Sequence, residues 1–137
     1  MADPPNGLFI DTSAIVALIA QEADADVLTV KIEEAPSCVT SPLVILEACM
    51  RLTTLLNVAP AQAERSIRKL LEAANVEIVE LRDSTATLAV RAFGHYGKGR
   101  GHPARLNICD CFSHACAREL GLSLLYKGND FAHTDSA

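Results

Sequence analysis

The sequence predicts an α/β protein, a three-layer α/β/α sandwich with a mainly parallel central sheet. Three observations lead there. Short apolar runs such as Leu8-Phe9-Ile10 and Cys38-Val39-Thr40 alternate with longer stretches of helical spacing. Capping residues stand where these runs pass into helices. The 137-residue chain, half of it hydrophobic, is also long enough to enclose a core of its own. Residues 1–137 read as a single domain, with 1–6 a loose lead-in.

Each element has a local reason. Leu8-Phe9-Ile10 is a buried strand that ends at Asp11-Thr12-Ser13, three good capping residues, and a helix follows through Ile15, Leu18 and Ile19. A second helix runs from Asp24 to Glu34 and is closed by Pro36. Cys38-Val39-Thr40 is the next strand. Ser41-Pro42 then supplies an N-cap with proline at the first helical position, opening a helix that carries Leu43, Ile45, Leu46, Cys49, Met50 and Leu52. A further helix spans Pro60 to Ala74, Val76 to Leu81 is a strand, and Ser84 to His95 is a helix. "YGKGRGHPAR" reads as a flexible loop from its glycines and proline. Asn107 or one of its neighbours caps a helix from Ile108 to Leu120, which Gly121 terminates, and Ser123 to Tyr126 is the last strand before a turn over Lys127 to Asp130.

The net charge of −5 argues against a protein that coats nucleic acid through overall charge. The charges are unevenly placed, however. No acid lies between Asp83 and Asp110, a span that holds Arg91, Lys98, Arg100 and Arg105. The opening "MADPPNG" lacks a signal peptide's basic end and apolar run, and no segment has the length of a membrane span, so the expected place is the cytoplasm. Thiols stay reduced there, and the odd number of cysteines, five, fits no disulfide framework.

Four acids fall at related topological positions. Asp11 closes the first strand, Glu47 lies within two turns of the helix leaving the second, Asp110 is in the first turn of its helix, and Asp130 follows the last strand. Ligands of parallel α/β sheets collect beyond the carboxyl ends of the strands, so the four can converge there. Taken singly, each has a plainer role: a cap for Asp11 and Asp110, a turn for Asp130, an ion pair for Glu47. Taken together they describe a crowded carboxylate cluster, costly by several kcal/mol in round terms unless a cation is part of it. Oxygen donors suit hard ions, Mg²⁺ or Mn²⁺.

"LNICDCFSHACA" raises a zinc alternative, with Cys109, Cys111, His114 and Cys116 in one segment. On a continuous helix Cys109 and Cys116 share a face while Cys111 points elsewhere, which cannot wrap a tetrahedral ion. No zinc is expected; the cysteines read as packing, and Asp110 as the chemistry.

"LFIDTSAIVALI", "SPLVILEACMRL", "HPARLNICDCFSHACA" and "LLYKGNDFAHTD" together resemble the PIN domain, in particular the VapC-type ribonuclease toxins of prokaryotic toxin–antitoxin pairs. The resemblance covers nearly the whole chain. It implies that Asp11, Glu47, Asp110 and Asp130 are the catalytic acids and hold one or two Mg²⁺ or Mn²⁺ ions for RNA hydrolysis. It implies support from Thr12 or Ser13 and from Asn107, with Asp135 in an outer shell. It also implies a homodimer and a cognate antitoxin; in the sequence itself, Leu52, Leu55, Leu56 and Val58 make an apolar end to the third helix, consistent with an interface and equally with core. Lys98, Arg100 and Arg105 are read as RNA phosphate contacts, while Phe93 and Tyr96 read as packing. The chain departs from the family's pattern at Cys109, where glycine is common, and at His114, where an aromatic residue is common. His133 reads as an exposed residue.

Two rival readings are weaker. A catalytically silent PIN-like module for binding RNA or protein would not need the full set of acids. A phosphatase or a response-regulator-like receiver needs a phosphate-accepting aspartate with its own surrounding motif; the haloacid-dehalogenase type requires a second aspartate two residues after the first, and here that position is Ser13.

Overall fold

The computed structural model describes residues 7–128, Ala132, Thr134 and Asp135. Asp130 and His133, both named above, lie outside the described residues. The elements follow in the order β1 (Leu8–Ile10), α1 (Thr12–Ile19), α2 (Ala25–Glu34), β2 (Cys38–Thr40), α3 (Pro42–Leu56), α4 (Pro60–Ala73), β3 (Val76–Ile78), α5 (Asp83–Tyr96), α6 (Ile108–Leu120) and β4 (Ser123–Leu125).

The strands form one parallel sheet in the order β3-β2-β1-β4. Phe9 pairs with Val39 on one side and with Leu124 on the other. Two successive crossovers build the sheet outward from β1 through β2 to β3. The third returns across it and places β4 on the far side of β1. Contacts divide the helices accordingly: α1, α3 and α4 pack together, as do α5 and α6, and α6 lies against β1 and β4. The reversal of direction falls between β1 and β4, the crevice where such sheets take ligands.

Position in the sheet explains which strands are apolar. β1 and β2 have neighbours on both edges, and Phe9, Ile10, Cys38, Val39 and Thr40 are all buried. β3 pairs only with β2, and its Glu77 and Ile78 are exposed. The strand expected over Val76 to Leu81 stops at Ile78 because β2 ends at Thr40, where the chain turns into α3. One further backbone bond, from the Val79 N–H to the Thr40 carbonyl (2.9 Å), marks the end of the pairing.

The caps match the local chemistry. Asp11 accepts from the Ser13 N–H, Ser41 accepts from the Val44 N–H ahead of Pro42, and Gly121 closes α6 at φ +66°. The glycine-rich loop is more constrained than its composition implies. Leu106 donates to the Tyr96 carbonyl (2.7 Å) and Lys98 donates to the Leu106 carbonyl (2.9 Å), which closes the base of the loop like a clasp.

The apolar end of α3 divides in two. Leu52 is fully buried in the core that also holds Ile15 and Ile67, whereas Leu55 and Leu56 face outward. Leu52→Ala should therefore lower unfolding free energy by about 2–5 kcal/mol in urea titrations. Leu55→Ala should change it by less than about 0.5 kcal/mol. Equal effects of the two would mean that α3 is docked in a different rotation.

Candidate active site at the carboxyl end of the sheet

Asp11 is held by the strand before it and the helix after it. Its N–H donates to the Leu125 carbonyl of β4 (2.9 Å), which extends the β1–β4 ladder by one residue. Its Oδ2 accepts from the Ser13 N–H (3.2 Å) and Oγ (2.9 Å), and Ser13 Oγ in turn accepts from the Lys127 N–H (2.8 Å). The other carboxylate oxygen, Oδ1, is buried and has no hydrogen-bond partner among the described residues. Burial pushes the Asp11 carboxyl above the usual range; the Ser113 hydroxyl and the Ser13 groups partly offset this, and the charge of Glu47 adds to it. Buried acceptors in proteins nearly always find a donor or a cation, so the bare Oδ1 is a natural ligand atom.

Asp110 is fixed by its own helix terminus. It sits at the third position of α6, where its Oδ2 accepts from the Asn107 N–H (3.0 Å) and Asn107 Oδ1 accepts from the Asp110 N–H (2.8 Å). This reciprocal capping box leaves Asp110 only 5% exposed. Glu47 is partly exposed on α3. Its carboxylate raises the Cys109 thiol across the contact between α3 and α6.

Cys109 reports on all three acids. Its thiol is pushed up to about 12, first by burial, then by the hydrogen bond with Glu47 and by the charges of Glu47, Asp110 and Asp11. One side chain thus lies within the field of three carboxylates from three separate elements. Among the described residues, no three His, Cys, Asp or Glu side chains stand close enough to hold a metal ion by themselves. The donor set nevertheless fits a hard cation: oxygen atoms, one of them buried and bare, in a region of concentrated negative charge.

The other expected residues divide between this site and its surroundings. Ser13 and Asn107 bind Asp11 and Asp110 directly, while the buried Thr12 Oγ1 has no hydrogen-bond partner among the described residues. Asp135 does not join the acids. It bonds His114 Nε2 (2.5 Å) and pairs with Arg118, one and two turns along α6 from Asp110. The Asp135 carboxyl is raised by burial, but bonding to His114 and the charges of His114 and Arg118 outweigh this and leave it below the usual range. Arg100 lies over the ring of Phe93, which is 47% exposed rather than packed inside. Tyr96 contacts both His102 and His114. The five cysteines are free thiols, and Cys109, Cys111 and Cys116 are buried.

Ser113 is the residue that sequence reasoning missed. Its hydroxyl is buried beside Asp11. The available signal was its spacing of three residues from Asp110, which places both on one helix face.

Comparison with known proteins places this geometry in a family. The PIN domain model matches residues 8–137. A VapC ribonuclease of Rhizobium meliloti (strain 1021) is 40% identical, over 93% of this chain and 97% of its own length. Ribonuclease VapC42 of Mycobacterium tuberculosis is 35% identical, over 93% of this chain and 95% of its own. Among solved structures, Mycobacterium tuberculosis VapC20, a sarcin-ricin loop cleaving toxin, superposes with a TM-score of 0.71 at 20% identity, covering 91% of this chain and 92% of that one. A toxin–antitoxin complex from Klebsiella pneumoniae gives 0.68 at 18% identity, with 94% and 93% covered. At those identities the two structures speak for the fold, and the sequence relatives for the family. A parallel sheet ordered β3-β2-β1-β4, with Asp11 and Asp110 buried at its carboxyl end, is thus the framework of a chain that belongs to the PIN-domain family, among the VapC ribonucleases.

Proposed function

We propose that the protein is a metal-dependent endoribonuclease toxin, a single PIN domain that hydrolyses RNA phosphodiester bonds and is neutralised by a cognate antitoxin. The observation that carries this reading is the bare, buried Oδ1 of Asp11 in a site shared with Glu47 and Asp110. The identity of 35–40% to VapC ribonucleases supports the reaction class.

Asp11, Glu47, Asp110 and Asp130 are the proposed ligands of one or two Mg²⁺ or Mn²⁺ ions. Such an ion, when bound, lowers the pKa of a coordinated water and stabilises charge on the phosphate. The protein's own groups prepare that site. Ser13 holds one oxygen of Asp11 and leaves the other available, Asn107 fixes the rotamer of Asp110, and Thr12 offers a buried hydroxyl nearby. Asp135 acts further out, through His114 and Arg118 on α6.

Lys98, Arg100 and Arg105 are the proposed RNA phosphate contacts. All three are exposed on the loop that leads into α6. They offset the repulsion an RNA chain meets from a protein of net charge −5. Val90, Phe93 and Ile108 expose apolar surface around a groove of about 520 Å³ between α5 and the start of α6, a surface suited to a homodimer. Val27, Val30, Leu46 and Met50 on α2 and α3 are similarly exposed and suit an antitoxin helix. A cationic antitoxin side chain would complement the acids. Among the described residues no single helix is long and apolar enough to cross a membrane; the cytoplasm, where RNA and antitoxin are found, is the proposed location.

Asp11→Asn and Asp110→Asn should each lower Mn²⁺- or Mg²⁺-dependent RNA cleavage at least about a hundredfold while the protein stays folded. Cleavage that survives excess EDTA, or full activity in either variant, refutes the mechanism.

Asp11→Asn should also stabilise the metal-free protein, by about 1 kcal/mol at neutral pH. The sign follows from burial. The folded-state pKa is raised, so the native state keeps its proton at pH values where the unfolded chain has lost it. Stability therefore falls as pH rises from the unfolded value through the folded one, and the full penalty applies above it. Denaturation in EDTA should show the variant's advantage vanishing in acid; a variant less stable than wild type at neutral pH contradicts this account.

Replacing Lys98, Arg100 and Arg105 together by alanine should weaken RNA binding by Asp11→Asn protein. It should also reduce the slope of log affinity against log salt by about 2. An unchanged slope removes the loop from the binding surface.

A further inference from the structure

The loop between α5 and α6 encloses a cavity of its own. Lys98, Gly99, Gly101, His102, Pro103 and Arg105 line a concave space of about 580 Å³, and no acid stands among them. Lys98 and Arg105 form no ion pair among the described residues, although acids outnumber bases in this chain. Arg100 is not part of the lining; its guanidinium lies over the Phe93 ring, 5.9 Å from the centroid.

The backbone gives this cavity a definite shape. The Leu106 N–H bonds the Tyr96 carbonyl and the Lys98 N–H bonds the Leu106 carbonyl, so the two ends of the loop are joined. Gly99 (φ +86°), Gly101 (φ +80°) and Arg105 (φ +52°) all take left-handed backbone. Such a conformation is uncommon for a residue other than glycine and recurs at functional sites. Among the described residues the N–H groups of Gly99, Gly101 and Arg105 have no acceptor. Turns that leave such donors free form concavities suited to anions.

His102 supplies a further donor. Its Nδ1 accepts from the Ala104 N–H (3.1 Å), so the proton of the neutral ring sits on Nε2. Nε2–H itself has no acceptor among the described residues. The ring is half-buried and stands nearly perpendicular to that of Tyr96, 4.9 Å between centroids. Two cations, a neutral N–H donor and free backbone donors, without an acid, make a surface for an oxyanion. Arg105 stands two residues before Asn107, whose side chain fixes Asp110, so one short stretch of backbone joins this cavity to the acidic site.

We propose that the cavity is a phosphate pocket for an internal phosphodiester group of the RNA strand, with Lys98 and Arg105 as its cations and neutral His102 donating through Nε2–H. The proposal rests on the ribonuclease reading given above and narrows it, since Arg100 stands outside the pocket.

The test is binding of a short, fluorescein-labelled single-stranded RNA to Asp11→Asn protein, followed by anisotropy at pH 8 across a salt series. Lys98→Ala and Arg105→Ala should each weaken binding about tenfold and lower the slope of log affinity against log salt by about 1. Arg100→Ala should weaken it less than about threefold. His102→Asn keeps an acceptor for the Ala104 N–H but lacks the reach of Nε2. It should weaken binding about fivefold, as should His102→Ala, with the slope unchanged because a neutral donor displaces no counterion. His102→Gln, whose amide N–H reaches where Nε2 does, should stay within about twofold of its parent. RNA with a 5′-hydroxyl and RNA with a 5′-phosphate should behave alike. With Asp11 intact, the loss should fall on KM more than on kcat.

Equal effects at Lys98, Arg100 and Arg105 describe diffuse attraction and overturn the pocket. If His102→Asn binds like its parent while His102→Gln is as weak as His102→Ala, the histidine is a brace of the loop and leaves the site. A loss confined to 5′-phosphorylated RNA overturns the phosphodiester assignment. Thermal unfolding identifies any variant that fails to fold, and the exposed Lys98, Arg100 and Arg105 decide the matter if the His102 variants do. If the Asp11→Asn protein binds no RNA, the RNA reading fails and the pocket with it. If it binds RNA that the wild type does not cleave, the nuclease reading alone falls, and the binding data still judge the pocket.

Discussion

A carboxylate buried at the end of β1, with one oxygen satisfied and the other bare, sets the terms for the surrounding structure. An unpaired buried charge is among the costliest groups a protein can contain. Asp11 is nearly inaccessible, its carboxyl is raised by burial, and Glu47 makes its ionisation harder still. The fold softens this cost without removing it. Because all four strands run parallel, α1 and α3 begin just beyond the carboxyl ends of β1 and β2, and α6, which leads back to β4, starts at the same end. Helix N-termini carry partial positive charge. Asp11 caps α1, Asp110 lies in the first turn of α6, and Glu47 lies further along α3. The topology thus gathers both the acids and the dipoles that make their crowding tolerable.

The parts legible in the sequence were those governed by local chemistry. β1, β2 and β4 are short apolar runs with turn or capping residues after them, and the Ser41-Pro42, Asn107 and Gly121 signals each mark a helix end that the structure contains. Asp11 and Asp110 were legible for the same reason, since each is placed by the element it caps. The remainder depends on neighbours that no local pattern names. The length of β3 is set by where β2 ends. The exposure of Glu47 depends on the rotation of α3 against α6. Asp135 follows the last strand much as a site residue would, yet it binds His114 and Arg118 because α6 presents a histidine and an arginine one turn apart. Ser113 went unnoticed because a serine amid apolar residues on a helix carries no signal until the facing strand is known.

The same helix connects the acidic site to the basic loop. Successive residues Ser113 and His114 point in different directions: Ser113 toward Asp11, His114 toward Tyr96 and Asp135. Tyr96 closes the loop through its carbonyl and packs edge-on against His102, whose Nδ1 accepts from the Ala104 N–H. The cations Lys98, Arg100 and Arg105 therefore project from a loop tied at its base and braced from inside, although three glycines give it local freedom. Such bracing matters in an acidic protein. Charges on a slack loop would settle against the nearest carboxylates, whereas charges on a fixed one stay outward.

His114 consequently occupies a junction. It is buried, it touches the aromatic ring that closes the loop, and it bonds the same acid as Arg118. A tyrosine or phenylalanine at that position would preserve the ring contact with Tyr96, and phenylalanine would lose the bond to Asp135 altogether. The histidine thus adds a polar link from α6 to Asp135. Asp110 lies on α6 itself, Asp11 and Glu47 belong to elements that α6 packs against, and Asp135 is bonded to α6 through His114. The buried face of α6 combines an acid, a thiol, a hydroxyl and an imidazole where a purely structural helix would carry leucine and valine.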